Sequence, residues 1–415
     1  MPSAPIYILG GHQTDFAKAW SRHGQDLSDM IREATLGALA DARLEPDAID
    51  TIHVGNAFGE IQRKQAHLGS MVSQVVPELW GVPAMRHEGA CASASLAVLA
   101  AMAEIEAGRY DCVLVVGAEE LKNLPGDESS ANQNAAAWQG REDIACRFMW
   151  PAAFGLMAQE YERRWGLDRR HLNRISEINY ANAKRNPLAQ TRKWQFEPAA
   201  FTDDDTLNPL IEPGTRRQDC GQITDGAAGL VLAGAEVAAA HARRLGLTLA
   251  QLPRIAGWGH RNASLRLKDK LERSADSDVV FPHVRQTIQE AFARAGLADV
   301  SQIDGIETHD CFTTTEYMAI DHFGLTPPGQ SWQAVEDGRI EIGGSCPINP
   351  SGGLIGGGHP VGATGARMLL DAAKQVTGRA GAYQVEGARR FATLNIGGSC
   401  ATVCSFVVAC PVSGD

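Results

Sequence analysis

Nowhere in its 415 residues does the chain hold an uninterrupted apolar run long enough to cross a bilayer. It also lacks an excess of positive charge. Its 38 Lys and Arg face 49 Asp and Glu, a formal net charge of -11, which argues against a general role on nucleic acid or an anionic membrane. The start, Met1-Pro2-Ser3-Ala4-Pro5, leads into a strand-like segment with no basic stretch followed by an apolar one, so no secretory leader is expected. The end, Pro411-Val412-Ser413-Gly414-Asp415, is not the peroxisomal tripeptide address. Nine cysteines, an odd number, are spread without paired zinc-ligand spacing. A cytoplasmic protein with free thiols is therefore expected, most of them small buried hydrophobes. What remains is ordinary globular material, 44% hydrophobic and 21% charged, of a length that suits two domains or one large α/β unit.

Glycine is abundant in one place. Between Asn349 and Gly365, seven glycines surround a single histidine, His359, and a helical pattern follows. Glycine at that density suggests close backbone approach to a ligand or to another strand. A loop that only packs has no need of the histidine. Two other segments pair with it. In Gly89-Ala90-Cys91-Ala92-Ser93-Ala94-Ser95, Cys91 stands among small residues ahead of an apolar helix. There the helix N-terminus favours a thiolate and the small neighbours admit an acyl group. In His309-Asp310-Cys311-Phe312, His309 and Cys311 are two apart at the end of a strand pattern, so strand geometry would turn both toward one cavity. A lone cysteine before a helix is usually structural, and Cys346, Cys400, Cys404 and Cys410 show how ordinary such residues are in this chain. The set differs from any one member. A cysteine nucleophile, two histidines and a second cysteine suit carbon–carbon bond chemistry on a thioester.

The chain reads as built twice. The helical Leu36–Leu44, an acidic turn and the strand pattern from Ala48 to Asn56 return as Ile288–Leu297, an acidic turn and Gln302–Asp310. Cys91–Ala107 followed by Cys112–Gly117 returns as Ala366–Val376 followed by Phe391–Ile396. Helices alternating with apolar strands suggest a mainly parallel or mixed sheet with helices on its faces. Between the halves the composition changes. From 141 to 217 there are 13 Lys and Arg against 11 Asp and Glu, within a chain of net charge -11. Basic pairs such as Arg169-Arg170, Lys184-Arg185, Arg192-Lys193 and Arg216-Arg217 punctuate it, either as receivers of the phosphates of a nucleotide-tailed substrate or as a solvated charged face. The division expected is residues 1–120 plus 223–250 for the first half, 121–222 for an insertion covering the site, and 251–415 for the second half.

At these residues the chain resembles the thiolase superfamily, and within it the sterol-carrier-protein-2 type. Gly89-Ala90-Cys91-Ala92-Ser93 is similar to the nucleophile motif, His309-Asp310-Cys311-Phe312 to the signature of this branch, and Gly358-His359-Pro360 to the Gly-His-Pro motif. Where most thiolases carry a second cysteine in Cys-X-Gly, this chain has Asn395-Ile396-Gly397. The resemblance therefore moves the acid/base role to Cys311. It implies an α/β thiolase-like fold, with two βαβαβαββ halves forming a five-layered α-β-α-β-α core plus an inserted loop domain. It implies Cys91 as acylated nucleophile, His359 as its activator, and backbone N–H groups of Cys91 and Gly397 on the acyl oxygen. The oxygen of the second thioester would be polarised by His359 and by a water held on His309. Phe154, Ser351, Gly352 and Asn395 would line the substrate pocket. Coenzyme A thioesters are the implied substrates, with no metal or redox cofactor, in a homodimer or homotetramer, and with a small partner protein in some relatives. The rival readings are a decarboxylating ketosynthase-like enzyme, a thiolase-like aldolase and a non-catalytic thioester-binding scaffold. Cys311 argues against the first, since decarboxylation needs no α-proton base. Cys91 argues against the second, since retro-aldol cleavage needs no acyl-enzyme.

Overall fold

A computed structural model describes residues 5–410. Among the described residues there are eleven strands: β1 Ile6–Gln13, β2 Thr51–Gly55, β3 Ala84–His87, β4 Cys112–Glu119, β5 Leu210–Glu212, β6 Thr215–Arg216, β7 Gly226–Ala233, β8 Arg254–Asn262, β9 Gly305–Thr308, β10 Arg390–Gly397 and β11 Thr402–Ala409. Nine of them form one sheet in the order β3-β2-β4-β7-β1-β8-β11-β10-β9. Within the sheet the halves join where β1 meets β8, through Ile6 opposite Ile255 and Tyr7 opposite Arg254.

The duplication expected from the sequence is visible in the pairing. β2 runs parallel to β4, which pairs antiparallel with β7, which pairs antiparallel with β1. β9 runs parallel to β10, which pairs antiparallel with β11, which pairs antiparallel with β8. β3 lies parallel to β2, and its counterpart is a single parallel bridge between Ile306 and Ile348. The parallel pairs are reached through crossover helices, as parallel strands require.

Helix character decides layer. Leu27–Asp41 opens with a capping box at Asp26 and buries one face through Leu27, Met30, Ile31, Ala34 and Ala38. It covers the outer side of the first half's strands. Ser93–Glu106 is made of small apolar residues and is buried on several faces, from Ala94 and Ser95 to Ala97, Val98 and Ala101. Thr364–Val376 is buried almost all round. These two helices pack on each other between the two sets of strands, in one apolar cluster with both. Pro282–Arg294 and Thr313–Phe323 cover the outer side of the second half. The layers are therefore helix, sheet, helix, sheet, helix.

Between β4 and β7 the chain leaves the sheet for the helices Gly126–Gln133, Met149–Trp165 and Arg169–Ala183 and the β5-β6 hairpin. This excursion bonds to the second half. The Tyr161 hydroxyl lies 3.1 Å from both Asp321 Oδ2 and Ser331 Oγ. Asn182 and Asn186 donate to the carbonyls of Asn349 and Ser351 at 3.1 and 3.0 Å.

Candidate active site

Cys91 lies in the 3-10 turn Ala90–Ala92, which runs directly into Ser93–Glu106. Ala90 turns the chain with φ of 51°, a left-handed conformation that alanine rarely adopts. Two backbone amides, those of Gly398 and of Cys91 itself, are directed at the sulfur. Burial nevertheless pushes the thiol up to about 12, against the pull of those amides.

His359 is placed by a bridge to Ile223 and by its amide, which donates to Thr224 Oγ1 at 2.8 Å. Its Nδ1 lies 2.8 Å from Thr364 Oγ1, and that hydroxyl donates to the Pro360 carbonyl at 3.2 Å. A hydroxyl has one proton to give, so here it accepts from Nδ1–H and leaves Nε2 with its lone pair. His309 stands edge to face with His359, ring centroids 5.2 Å apart. Cys91 Sγ, a nitrogen of His309 and a nitrogen of His359 all lie within 4.8 Å of one another. Such a trio could hold a metal ion, and it is equally an arrangement for moving a proton between sulfur and imidazole. Burial, with the Arg367 charge behind it, brings His359 down to about 3. Burial, then His359 and Arg367, takes His309 well below the usual histidine value. Both rings are therefore neutral around pH 7. Cys311 is buried, and burial first, then Cys91 and Asp310, push its thiol well above the usual range.

Cys91, Cys311 and His359 line one small, partly open cavity. Its other walls are mainly apolar, including Phe58, Leu121, Trp150, Phe154 and Ile223. Phe154 stacks on Phe312, ring centroids 4.4 Å apart. Two buried carboxylates hold the glycine-rich loop in place. Asp310 accepts from the amides of Leu354 and Ile355 at 2.6 and 3.1 Å. Glu119 accepts from Ala57, Phe58 and Gly362 at 2.9, 3.2 and 3.1 Å, and from Asn56.

Family models match on both halves: the thiolase N-terminal domain over residues 6–236 and the thiolase C-terminal domain-like model over 267–409. The chain belongs to the thiolase family. It is 31% identical to an acetyl-CoA acetyltransferase of Methanothermobacter thermautotrophicus, over 95% of this chain and 96% of that one. It is 28% identical to human sterol carrier protein 2, over 94% of this chain and 70% of that protein. Among solved structures, the Ltp2-ChsH2(DUF35) aldolase superposes with a TM-score of 0.78 at 20% identity, covering 99% of each chain. The acetyl-CoA acetyltransferase from Syntrophomonas wolfei superposes at 0.68 and 16% identity, covering 98% of this chain and 100% of that one.

In this thiolase several residues stand elsewhere than the motifs suggested. β9 ends at Thr308, whose amide is taken by the Asn349 side chain at 2.8 Å, so His309 and Cys311 are not on a strand. They reach the site because the turn beyond is held by a bridge from Cys220 to Phe312 and by the Gly221 amide on the Cys311 carbonyl. Of the four expected pocket residues, Phe154 lines the cavity, whereas Ser351, Gly352 and Asn395 do not. Ser351 bonds to Glu307 and Arg367, Gly352 packs against Ala183, and Asn395 sits behind His309. Gly397 also lies off this cavity, and Gly398 is the residue that lines it. Six cations of the basic pairs are internally matched. Arg163 and Arg164 meet Glu160, Arg169 meets Asp219, Arg170 meets Asp168, Arg192 meets Asp15, and Arg216 meets Asp205. Lys184, Arg185, Lys193 and Arg217 are exposed and have no such partner. Motif reading missed Ser95, Glu119, Thr364 and Arg367. Ser95, inside the small-residue run around Cys91, and Thr364, inside the glycine segment, carried a local signal, whereas Glu119 and Arg367 carried none.

Proposed function

We propose that this chain is an acyltransferase of the thiolase type, working on coenzyme A thioesters by a two-step exchange through Cys91. The observation that carries the reading is the convergence of Cys91, His309 and His359 within 4.8 Å, beside a cavity that Cys91, Cys311 and His359 line and behind which His309 is buried. In the first step His359 Nε2 takes the Cys91 proton, and the sulfur attacks the thioester carbonyl. The amides of Cys91 and Gly398, directed at the sulfur, stabilise it as a thiolate and would be the nearest donors for the oxyanion that develops beside it. As coenzyme A leaves, its sulfur takes the proton of Cys311, and Cys311 remains as thiolate. In the second step that thiolate removes an α-proton from an incoming thioester. The carbanion attacks the acyl carbon, Cys91 departs, and it recovers its proton from His359. The charges and protons close on the starting state, and the reverse sequence is thiolysis. Both cysteines begin the cycle protonated, since burial raises both thiols.

The test has two parts. Intact-protein mass spectrometry after mixing with acetyl-CoA should give one acetyl adduct, absent in Cys91→Ala. A thiolysis screen over 3-ketoacyl-CoA chain lengths should then find turnover. No adduct together with cleavage of a 3-hydroxyacyl thioester to an aldehyde or ketone would replace this reading with an aldolase. Condensation that requires malonyl-CoA would replace it with a decarboxylating enzyme.

A further inference from the structure

We propose that Asn395, anchored by Ser95, is a positioning residue that fixes His309 as the Nε2–H tautomer and makes it a hydrogen-bond donor to the carbonyl oxygen of the thioester losing its α-proton. This rests on the acyltransferase reading above and assigns one part of it.

Three buried side chains form a line. Ser95, Asn395 and His309 are each 1% exposed. Ser95 Oγ lies 2.7 Å from Asn395 Oδ1, and Asn395 Nδ2 lies 3.0 Å from His309 Nδ1. A carboxamide offers its oxygen only as acceptor and its nitrogen only as donor. With the Ser95 hydroxyl donating to Oδ1, Nδ2 is left to donate to His309. Nδ1 must then carry the lone pair, and the proton of the neutral ring is on Nε2. Nε2 is buried and has no partner among the described residues, so it is the nitrogen free for a substrate.

The companion ring is held the other way. Thr364 accepts from Nδ1–H of His359, which frees the Nε2 lone pair to act as base. The two histidines of the site are therefore different reagents, one acceptor and one donor. The difference is written in their second neighbours, a threonine for one and an asparagine for the other. Gly365 makes room for the line. A Cβ there would come to 2.5 Å from the Ser95 nitrogen and 2.8 Å from Asn395 Oδ1.

Asn395→Asp is the isosteric test. Its carboxylate accepts only, so it draws the proton to His309 Nδ1 and leaves Nε2 without one. Two readouts are needed. Solution NMR of protein labelled with 15N-histidine, with His309→Gln identifying the signal, should show Nε2–H in the parent and Nδ1–H in Asn395→Asp. Exchange of the acetyl-CoA α-hydrogens with deuterated solvent should fall ~100- to ~1,000-fold, the effect of losing one preorganised donor. Acetylation of Cys91, followed by mass, should change far less. Ser95→Ala should weaken exchange in the same direction by releasing the carboxamide. An Nδ1–H signal for His309 in the parent would overturn the assignment whether or not the variant folds. Normal exchange in a folded Asn395→Asp would overturn it too. Failure of the parent itself to form the Cys91 adduct would instead remove the acyltransferase reading, so the two failures are distinct.

Discussion

At the scale of the residue, the site contains two cysteines that the same burial treats alike and that geometry separates. Cys91 has two amides at its sulfur and a free imidazole lone pair nearby, whereas Cys311 lies deeper with Thr315 as its hydrogen-bond partner. Cys311→Ala should therefore still accept an acetyl group on Cys91 yet lose α-hydrogen exchange by ~100- to ~10,000-fold, the usual weight of a positioned general base. Exchange at the parent rate would sink the role. The pH dependence follows from the shifts. His359 at about 3 is already the neutral base above that value, and Cys91 at about 12 remains a thiol below its own. Neither group changes charge across the neutral range. Single-turnover acetylation of Cys91 should be flat from about pH 5 to about pH 9. An inflection near 6.5, the ordinary histidine value, would mean that burial does not hold His359 neutral.

At the scale of the element, the two buried helices of the middle layer bring the site together. Ser93–Glu106 carries Cys91 at its start and Ser95 in its first turn, and Thr364–Val376 follows His359. Their crossing is close because Gly365 has no side chain to keep it open. Gly365→Ala would gain intrinsic helix propensity of about 1 kcal/mol, as alanine does over glycine. The new methyl would meet backbone and side chain of Ser95, and overpacking of this kind typically costs ~1–3 kcal/mol. The net expected is a lower urea midpoint with reduced α-hydrogen exchange. A variant as stable as the parent would show that the crossing has room to spare. The glycine-rich segment is explained at this scale as well. Gly352 approaches Ala183 closely, and Gly353 lies against the Asp310 carboxylate, so glycine there serves packing as well as any ligand.

For the whole molecule, the excursion between β4 and β7 closes over the second half and leaves few cations uncommitted. Arg217 lies three residues before Cys220 and the cavity-lining Gly221 and Gln222, and Lys193 follows the segment whose Gln190 amide holds the Gly357 carbonyl. If these exposed cations meet the phosphates of coenzyme A, dephospho-coenzyme A thioesters should bind more weakly. The gap should shrink with added salt as exposed charges are screened. Arg217→Ala and Lys193→Ala should narrow the same gap. Equal affinity for both thioesters at low salt would remove phosphate contacts from this surface.

The sequence by itself determined the chemistry-bearing residues and the doubled architecture. Cys91, His309, Cys311 and His359 stand in short motifs whose residue types narrow the chemistry to a few related reactions, and helix and strand periodicities repeat locally. Both signals lie within a few residues of each other, where a linear reading reaches. The tertiary structure alone decided what surrounds them. Ser95 and Asn395 are 300 positions apart and touch only because a helix of one half crosses a strand of the other. Glu119 and Gly362 meet across 243 positions for the same reason. Asn395, which follows an ordinary apolar strand pattern, belongs to His309 and not to the substrate cavity, and the Gly398 amide is directed at the Cys91 sulfur. The tautomer of a buried histidine, the amide that faces a nucleophile and the cations left unpaired all depend on contacts between distant segments. Such contacts leave no periodic mark along the chain.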